Sequence, residues 1–380
     1  MAVCAACSLG AQAPSTKTYS YLVYVASEAA DRIALLRFVP GDGRVDHELT
    51  TGIMPADVDG PHGLTLSPDG RFYYVSLAHG QPNGTVWKYA TKDDAVVGRV
   101  TLGMFPATMH TTPDGEFLYV VNFNLHGDMV PSSVSIVATG DMIEVARVRT
   151  CTMPHGSRVN PQGTRHYSAC MMDDLLVEID TATLKPARYF VVTKGTEAGG
   201  VGAPPIRSMA PTASHTDGHD AVGHGLDAPK VPATSCSPTW AQPSSDGSSI
   251  FVACNASNEI VEIDAARWTL KRRIAGGAGV YNLAVTKDDR LIATNKRDQS
   301  VSVFDTRDGR ELARIRTTRR VVHGVAISPD NRYAFVSVEG IGAEPGTVEM
   351  IDLRALKVVA TVDVAPQAGG IDFYRITSNE

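Results

Sequence analysis

One pattern recurs along most of this chain: a short apolar run, a turn containing Asp-Gly or a similar pair, and a second apolar run. The first residues of successive turns lie 45, 48, 84, 42 and 42 positions apart, so the one long gap is a period plus an insertion of nearly the same length. Repeats of this length that are built from strands are typical of a β-propeller, in which each repeat forms one four-stranded blade. The turns are Asp69-Gly70, Asp114-Gly115, Gln162-Gly163, Asp246-Gly247, Asp288-Asp289 and Asp330-Asn331.

The first complete repeat predicts four antiparallel strands that run from the ring axis outward. Apolar, β-branched and aromatic residues alternate with polar ones in each of them, which indicates strands rather than helices. The predicted strands, from the innermost to the outermost, are His62–Ser67, Phe72–Leu77, Thr85–Tyr89 and Val96–Leu102.

The two ends of the chain complement each other. Residues 21–26, 32–38 and 44–51 supply three strands without an inner strand before them, and residues 370–376 supply an inner strand with nothing after it. We expect these four strands to share one blade, because a closed ring removes the exposed sheet edges that favour aggregation. The fold prediction is therefore an all-β, seven-bladed propeller, with the other six blades starting near residues 61, 106, 154, 238, 280 and 322.

The sequence divides into three parts. Residues 19–380 form the predicted propeller, and residues 1–18 are interpreted as the remnant of an export leader, with Ala11-Gln12-Ala13 as a signal-peptidase site and Cys7 as a candidate for a lipid anchor. Residues 194–235 form a predicted flexible insertion that is rich in His, Gly and Pro and has no strand or helix periodicity. Its histidines are His215, His219 and His224.

Composition narrows the classes of partner. The net charge is −6 and the basic residues are dispersed, so we expect no nucleic-acid partner. No apolar stretch approaches the roughly 18 residues of a membrane-spanning helix, so we expect no membrane span. The motifs for covalent haem, for a Gly-x-Ser-x-Gly nucleophile and for a phosphate-binding loop are absent, and we assign no catalytic residue.

Four cysteines occupy equivalent positions in two blades. Cys151 and Cys236 precede inner strands, and Cys170 and Cys254 end the strands that follow, at separations of 19 and 18 residues. Adjacent antiparallel strands bring each pair together, which predicts the disulfides Cys151–Cys170 and Cys236–Cys254. The competing interpretation is copper(I) ligation by these thiols and nearby methionines. Either interpretation indicates a periplasmic or extracellular location.

Most of the histidines map to one face of the predicted ring. Loops that enter the inner strands and loops that leave the second strands meet at the same face, which we call the top face. His62, His155 and His323 share one equivalent position at the start of an inner strand, and each precedes a glycine. His79 and His126 follow second strands. Ala107, Thr239 and Tyr281 hold the inner-strand position in other blades, and Glu339 lies in the loop that corresponds to that of His79.

Three uses of these histidines stay open. Imidazole is a common ligand for copper, zinc and iron, so His62, His155 and His323 form a candidate metal site with copper as the leading metal. Alternatively, each imidazole binds a backbone carbonyl, or one of them acts as an acid or base. The candidate ligand-binding residues are His62, His79, His126, Tyr281, Arg297 and Glu339.

Further polar residues are expected at the same rim, with no specific role assigned. Arg158 and Trp240 are further candidates for the channel mouth, whereas His110 and His166 lie within strands and are interpreted as structural. The additional rim residues are Asn122, Asn124, Asp173, Asp174, Asn255 and Lys296.

Three segments carry a family resemblance. At Ser67–Ser76, Thr112–Asn122 and Ser328–Ser337, each beginning Ser/Thr-Pro-Asp, the chain resembles the YVTN-repeat (YncE-like) β-propeller family of exported bacterial proteins. The resemblance implies a seven-bladed propeller outside the cytoplasm that acts as a binding module or scaffold.

The repeat style is also similar to that of two reductase propellers, those of nitrous oxide reductase and cytochrome cd1 nitrite reductase, where histidines at the channel mouth hold copper or face haem d1. The chain lacks a copper-carrying cupredoxin domain and a haem-attachment motif. A lactonase-like propeller is a further analogue. We therefore expect a non-catalytic, exported module that binds a small ligand or a protein at its top face. The alternatives are a copper-binding metalloprotein or oxidoreductase accessory protein, and a lactonase-like hydrolase.

Overall fold

The computed structural model describes residues 18–53, 58–80, 82–205 and 235–379. The predicted leader up to residue 17, with Cys7, lies outside the described residues, as do the three histidines of the insertion. No helix within the described part of the chain has the length and apolar character needed to cross a membrane.

Seven antiparallel sheets form the predicted seven-bladed propeller. The composite blade confirms the predicted closure, since the last strand pairs antiparallel with the first and Tyr24 lies opposite Asp372. A single turn of 3-10 helix, Glu28–Ala30, follows the first strand. From the axis outward, this blade contains β29 (Ala368–Asn379), β1 (Thr18–Ser27), β2 (Arg32–Val39) and β3 (Asp42–Thr50).

The next three blades follow in chain order, each running from the axis outward. Blade 2 contains β4 (Pro61–Leu66), β5 (Phe72–Leu77), β6 (Thr85–Ala90) and β7 (Val96–Thr101). Blade 3 contains β8 (Pro106–Thr111), β9 (Phe117–Asn122), β10 (Pro131–Ala138) and β11 (Ile143–Thr152). Blade 4 contains β12 (Pro154–Val159), β13 (Arg165–Cys170), β14 (Leu175–Asp180), β15 (Lys185–Val191) and β16 (Ala198–Val201).

The last three blades complete the ring. Blade 5 contains β17 (Pro238–Pro243), β18 (Ser249–Cys254), β19 (Glu259–Asp264) and β20 (Thr269–Ala275). Blade 6 contains β21 (Val280–Val285), β22 (Arg290–Asn295), β23 (Ser300–Asp305) and β24 (Glu311–Arg316). Blade 7 contains β25 (Val322–Ile327), β26 (Tyr333–Val338), β27 (Gly346–Asp352) and β28 (Lys357–Val364).

The core lies between neighbouring blades. Second and third strands are buried almost throughout, whereas outer strands such as β7 alternate between exposed and half-buried residues. At the closing contact, Leu36 and Phe38 of the composite blade pack against Tyr333 and Phe335 of blade 7. Each buried side chain of this size stabilises the fold by about 1.5–3 kcal/mol, so apolar wedges between the blades hold the ring together.

The repeated turn has a hydrogen-bond pattern that explains its sequence. Ser67 Oγ donates to the Asp69 carboxylate and accepts from the Phe72 amide, and Gly70 adopts a φ of +67° that favours glycine. Ser328 and Asp330 repeat the hydroxyl–carboxylate contact in blade 7. These turns lie at the end of the ring opposite to the top face, and we call that end the bottom face.

Both predicted disulfides are present. Cys151 is bonded to Cys170 and Cys236 to Cys254, with Cα atoms 5.9 Å and 4.4 Å apart. Each of the four sulfur atoms is therefore bonded to its partner cysteine and is not free to ligate copper(I). Loops of this length give about 3 kcal/mol of stabilisation per bond in the chain-entropy treatment.

The start of the insertion differs from the prediction. Residues 198–201 were expected to lack structure, but they form β16, a fifth strand on blade 4 that places Gly200 opposite Tyr189. Just before it, Glu197 forms an ion pair with Arg273 of the next blade at 2.7 Å. The sequence Ala-Gly-Gly-Val has weak strand propensity, so the available edge of β15 and this ion pair explain the strand better than local preference does.

Candidate functional site

The inner strands share one distortion close to the top face. In six of them the pairing register with the second strand shifts after the first residue, as between Pro61 and Leu64 in blade 2. Such bulges re-aim side chains. The second residues of the seven inner strands therefore form one ring around the axis. In blade order they are Gly369, His62, Ala107, His155, Thr239, Tyr281 and His323.

Large and small residues are mixed in this ring, which lets four aromatic side chains meet at the axis. The centre of the His62 ring lies 5.8 Å from the centre of the His323 ring and 6.2 Å from that of the His155 ring. Tyr281 lies 5.3 Å from His155 and 4.8 Å from His323. Gly369 leaves the space between His62 and His323 unobstructed. We call His62, His155, Tyr281 and His323 the histidine cluster.

The glycine after each histidine serves packing. A Cβ on Gly63 would lie 1.9 Å from the carbonyl oxygen of Ala107, and one on Gly156 would lie 2.4 Å from the Cα of Trp240. The backbones of adjacent inner strands approach too closely for any side chain at these positions. The His-Gly pairs therefore place an imidazole at the axis next to a tight contact between blades.

His155 uses both of its ring nitrogens within the protein. Nδ1 donates to the Thr239 carbonyl at 2.9 Å, and Nε2 accepts from the Tyr281 hydroxyl at 2.9 Å. Burial lowers the pKa of His155 to about 3, so this imidazole is neutral. His155 therefore has no nitrogen left for a metal. Among the residues that the structure describes, no three His, Cys, Asp or Glu side chains are arranged to hold a metal ion.

His62 and His323 each keep one buried ring nitrogen without a hydrogen-bond partner: Nε2 of His62 and Nδ1 of His323. His62 Nδ1 donates to the Glu28 carboxylate at 2.7 Å, which leaves Nε2 as the open ring nitrogen of His62. Burial holds the pKa of His323 well below its usual value, and its Nε2 lies 3.7 Å from Glu339. The attraction of that carboxylate favours the tautomer with the proton on Nε2 and the lone pair on Nδ1.

Glu28 joins two histidines and was not predicted from the sequence. Its two carboxylate oxygens accept from His62 Nδ1 and His79 Nε2, both at 2.7 Å. Burial alone would raise the pKa of Glu28, but the two imidazoles outweigh burial and hold that pKa well below its usual range. The hydrogen bond to Glu28 raises the pKa of His79 despite its burial. Glu28 directly follows β1, the second strand of its blade, so the loop alignment that identified Glu339 also points to it.

A buried ion pair lies on the other side of the cluster. Lys296 Nζ is 2.8 Å from Glu339 Oε1 and 4.5 Å from the centre of the Tyr281 ring. Burial opposes the charge of Lys296, but the adjacent Glu339 outweighs it and raises the pKa of the ammonium group. Burial raises the pKa of Tyr281 to about 12, so its hydroxyl stays protonated.

Several predicted rim residues support loops instead of facing the axis. Arg297 binds Asn255 and Asn258 in the adjacent blade 5 loop, and Asp174 accepts from the backbone amides of Cys236 and Ser237. The remaining contacts are similar: Asn122 accepts from the Gly103 amide, Asn124 donates to the Asp128 carbonyl, and Asp173 accepts from the Thr152 amide.

His126 lies beside the axial site. Its ring is 5.6 Å from that of His79 and 5.3 Å from that of Phe105. It thus extends the line of imidazoles from the cluster toward the outer part of the top face.

His110 and His166 were expected to be structural residues within strands, and Arg158 was a candidate for the channel mouth. His166 is fully buried between blades, stacks on Tyr119 at 4.7 Å and contacts the Ser157 hydroxyl, which is a structural role. Arg158 and His110, in contrast, line a cavity of about 690 Å³ at the bottom face. This cavity, and Arg158 with it, is therefore at the end of the channel opposite to the histidine cluster and not at the rim where Arg158 was a candidate.

The sequence profile of YNCE-like beta-propellers matches residues 88–379, well over half of the chain. The chain belongs to this family. A second profile, of seven-bladed lactonase propellers, matches residues 16–129, which include Glu28 and His62. No curated protein sequence matches the chain.

Solved structures show the same fold at low identity. Hydrazine synthase from Kuenenia stuttgartiensis matches with a TM-score of 0.61 and 18% identity, over 87% of this chain and 99% of that one. A functionally unknown protein from Desulfotomaculum acetoxidans matches with a TM-score of 0.62 and 14% identity, over 93% and 98%. The dihydro-heme d1 dehydrogenase NirN, solved in complex with DHE, matches with a TM-score of 0.57 and 13% identity, over 92% and 74%. At these identities the likeness establishes the fold alone.

Proposed function

We propose that the protein is an exported binding module that receives a polar group of its ligand or partner at the histidine cluster, without chemical turnover. The observation that carries this proposal is the pair of unpartnered nitrogens, His62 Nε2 and His323 Nδ1, on rings 5.8 Å apart at the channel axis. A buried polar atom without a partner costs about 1–3 kcal/mol, so a group that satisfies both nitrogens gains that free energy on binding. The two disulfides support the exported location.

The charges around the cluster indicate the kind of group it accepts. The carboxylates of Glu28 and Glu339 are balanced by Lys296 and by His79, whose pKa is raised. No unpaired charge thus faces the cluster, and the neutral imidazole of His323 offers a lone pair. A group that donates hydrogen bonds, such as a hydroxyl or an ammonium group, is complementary to it.

Binding fits the ionisation of these residues better than catalysis does. Lys296 is held protonated by Glu339 and is a poor nucleophile. Burial keeps Tyr281 protonated, with a pKa of about 12, and keeps His155 neutral with both nitrogens occupied. Each of these groups is fixed in one protonation state, whereas an acid–base catalyst needs a pKa near the working pH.

Copper binding is the second candidate, and one contact favours it. Histidines that ligate metals usually donate their other N–H to a carboxylate, and His62 does so to Glu28 at 2.7 Å. His62 Nε2 and His323 Nδ1 would supply two nitrogen ligands, and imidazole suits copper and zinc. The remaining ligands would come from the bound molecule or from water.

A binding titration of tag-free protein tests both candidates. The probes are copper(I), copper(II), zinc, methylammonium and ethanolamine. Binding of each probe is measured from the shift of the unfolding midpoint, and mass spectrometry gives the stoichiometry. The variants are His62→Phe and His323→Phe, with His47→Gln as the control because His47 is an exposed residue of β3. A ligand at 100 times its Kd stabilises the fold by about 2.7 kcal/mol.

We expect one of these probes to bind at one equivalent to the wild type and to His47→Gln, and at least tenfold more weakly to both cluster variants. Copper as that probe would establish the metalloprotein candidate. Equal affinities of every probe for the wild type and for His62→Phe would contradict a site at the cluster. Hydrolysis of a simple lactone by the wild type that is lost in His62→Phe would instead establish the hydrolase alternative.

A further inference from the structure

A second ring of equivalent residues lines the channel near the bottom face. The fifth residues of the seven inner strands point into the channel and line a cavity of about 190 Å³, which shares several residues with the wider cavity of about 690 Å³ at the bottom mouth. Five neighbours in this ring are polar and two are alanines. In blade order the ring consists of Asp372, Thr65, His110, Arg158, Gln242, Ala284 and Ala326.

Arg158 enters this cavity without a direct ion pair to any described residue. Its Nη1 donates to the carbonyl of Ser157, and its guanidinium stacks on the Trp240 ring at 4.4 Å. Among the described residues no carboxylate oxygen lies within 4.0 Å of its nitrogens. Burial lowers the pKa of Arg158 to about 10, so it is still charged at neutral pH. The Asp372 carboxylate attracts this half-buried guanidinium without forming an ion pair with it, so Arg158 keeps N–H donors that a bound anion would satisfy.

The neighbours of Arg158 add one donor and one carboxylate. His110 accepts the Val159 amide at Nδ1, 3.2 Å away, which places its proton on Nε2 as a further donor. Burial lowers the pKa of His110 to about 3, so it brings no charge. Three blades away, Asp372 accepts from the Leu66 and Phe373 amides and from the Thr65 hydroxyl. Its oxygens are therefore satisfied without Arg158.

We propose that this cavity binds a small molecule with one carboxylate and an apolar body, its carboxylate against Arg158 and its body toward Ala284 and Ala326. Guanidinium presents parallel N–H donors that match a carboxylate. One arginine, a neutral histidine and a facing carboxylate favour a monoanion over a dianion such as phosphate. Ala284 and Ala326 line the inner cavity of about 190 Å³, and Arg158 lines both this cavity and the wider one. The wider cavity, of about 690 Å³, lies within the roughly 300–1,000 Å³ range of small-molecule sites.

Titration with defined anions tests this proposal. The probes are acetate, benzoate and inorganic phosphate. Binding is measured by ligand-observed NMR and by the fluorescence of Trp240, whose ring the Arg158 guanidinium contacts. The variants are Arg158→Gln, which removes the charge, and Arg158→Lys, which keeps it without the planar fork. Arg149→Gln is the control because Arg149 is exposed on the outer strand β11.

We expect benzoate to bind at one equivalent, more tightly than acetate and phosphate. Its affinity should fall at least tenfold in Arg158→Gln, fall less in Arg158→Lys and stay unchanged in Arg149→Gln. Two results would overturn the proposal: equal benzoate affinity in the wild type and in folded Arg158→Gln, or phosphate binding as tight as benzoate binding. Both variants at the histidine cluster should bind benzoate normally, so this test is independent of the function proposed for the top face.

Discussion

The two ends of the central channel are built from the same seven inner strands, yet they are filled in opposite ways. At the top face, second-position residues interlock as four aromatic rings, and the charges beside them are paired: Glu28 with two histidines and Lys296 with Glu339. At the bottom face, fifth-position residues line an open cavity in which Arg158 forms no direct ion pair with a described residue.

This difference follows from side-chain size and charge at equivalent positions. Imidazole and phenol rings next to Gly369 and Ala107 fill the axis, whereas Ala284 and Ala326 leave it open on one side of the lower ring. The backbone repeat therefore fixes where a residue points, and the individual substitutions decide whether an end of the channel is packed or hollow. The top face should depend on its charges for stability, and the bottom face should not.

Breaking the buried ion pair should have the largest effect. Lys296→Met leaves the Glu339 carboxylate buried without its cation, which should reduce the free energy of unfolding by about 3–5 kcal/mol. Lys296→Met combined with Glu339→Gln should recover most of that loss in denaturant titrations. Lys357→Met, on the exposed outer strand β28, is the control. A loss in Lys296→Met no larger than in the control would show that the pair does not stabilise the top end.

Removing a disulfide should have the next largest effect, and it should be confined to the top end. Cys236→Ala with Cys254→Ala should cost about 3 kcal/mol. Hydrogen exchange of the His155 ring Nδ1–H should accelerate, because this group donates to the carbonyl of Thr239 in the blade that carries the two cysteines. Exchange at the Gly163 amide, in a bottom-face turn, should not change. Equal acceleration at both positions would contradict independent ends.

Acid should destabilise the protein through its neutral buried histidines. Burial lowers the pKa of His110, His155 and His166 to about 3 and that of His323 well below its usual value, so the unfolded chain binds more protons below pH 6.5. His79 acts in the opposite direction because its pKa is raised. The free energy of unfolding should therefore fall by about 3–5 kcal/mol between pH 7 and pH 5.5.

The matched variants for this pH profile are His155→Phe and His47→Gln. The first should reduce the fall by about 1 kcal/mol, because one fewer histidine takes up a proton on unfolding. The second should change the profile less, since the ion pair of His47 with Asp94 lies at the surface. A profile that is flat between these pH values would contradict the neutral state of the cluster.

The smallest effect is expected at Arg158. Its replacement by methionine removes a charge that has no direct ion pair while keeping an apolar contact with Trp240, so the free energy of unfolding should change by less than about 1 kcal/mol or increase. Thermal and denaturant unfolding measure this directly. A loss as large as that of Lys296→Met would show that Arg158 is a structural ion, and the contrast between the two ends would disappear.

The sequence predicted the ring because turn spacing and strand periodicity are local properties, and the chain closes as predicted between β1 and β29. The same register assigned His62, His155 and His323 to one level of the inner strands. It did not identify Glu28, because the composite blade begins without an inner strand and its loops were not aligned with the others. Applying the register to fifth positions would have placed Arg158 and His110 together at the bottom mouth.

Other features required the packed structure. The occupation of both His155 nitrogens depends on Thr239 and Tyr281, which are 84 and 126 residues away in the chain. The strand β16 depends on an available sheet edge rather than on its own glycine-rich sequence. Contacts of this kind are set by tertiary packing, and local patterns carry no information about them.

A high-resolution crystal structure of tag-free protein, purified from the exported fraction of a producing cell, tests the central claim most directly. Our account predicts an ordered atom other than water that joins His62 Nε2 and His323 Nδ1, at about 2.0–2.1 Å for a metal or about 2.7–3.2 Å for a hydrogen-bonding ligand. Water alone between the two nitrogens, or no density there, would contradict it.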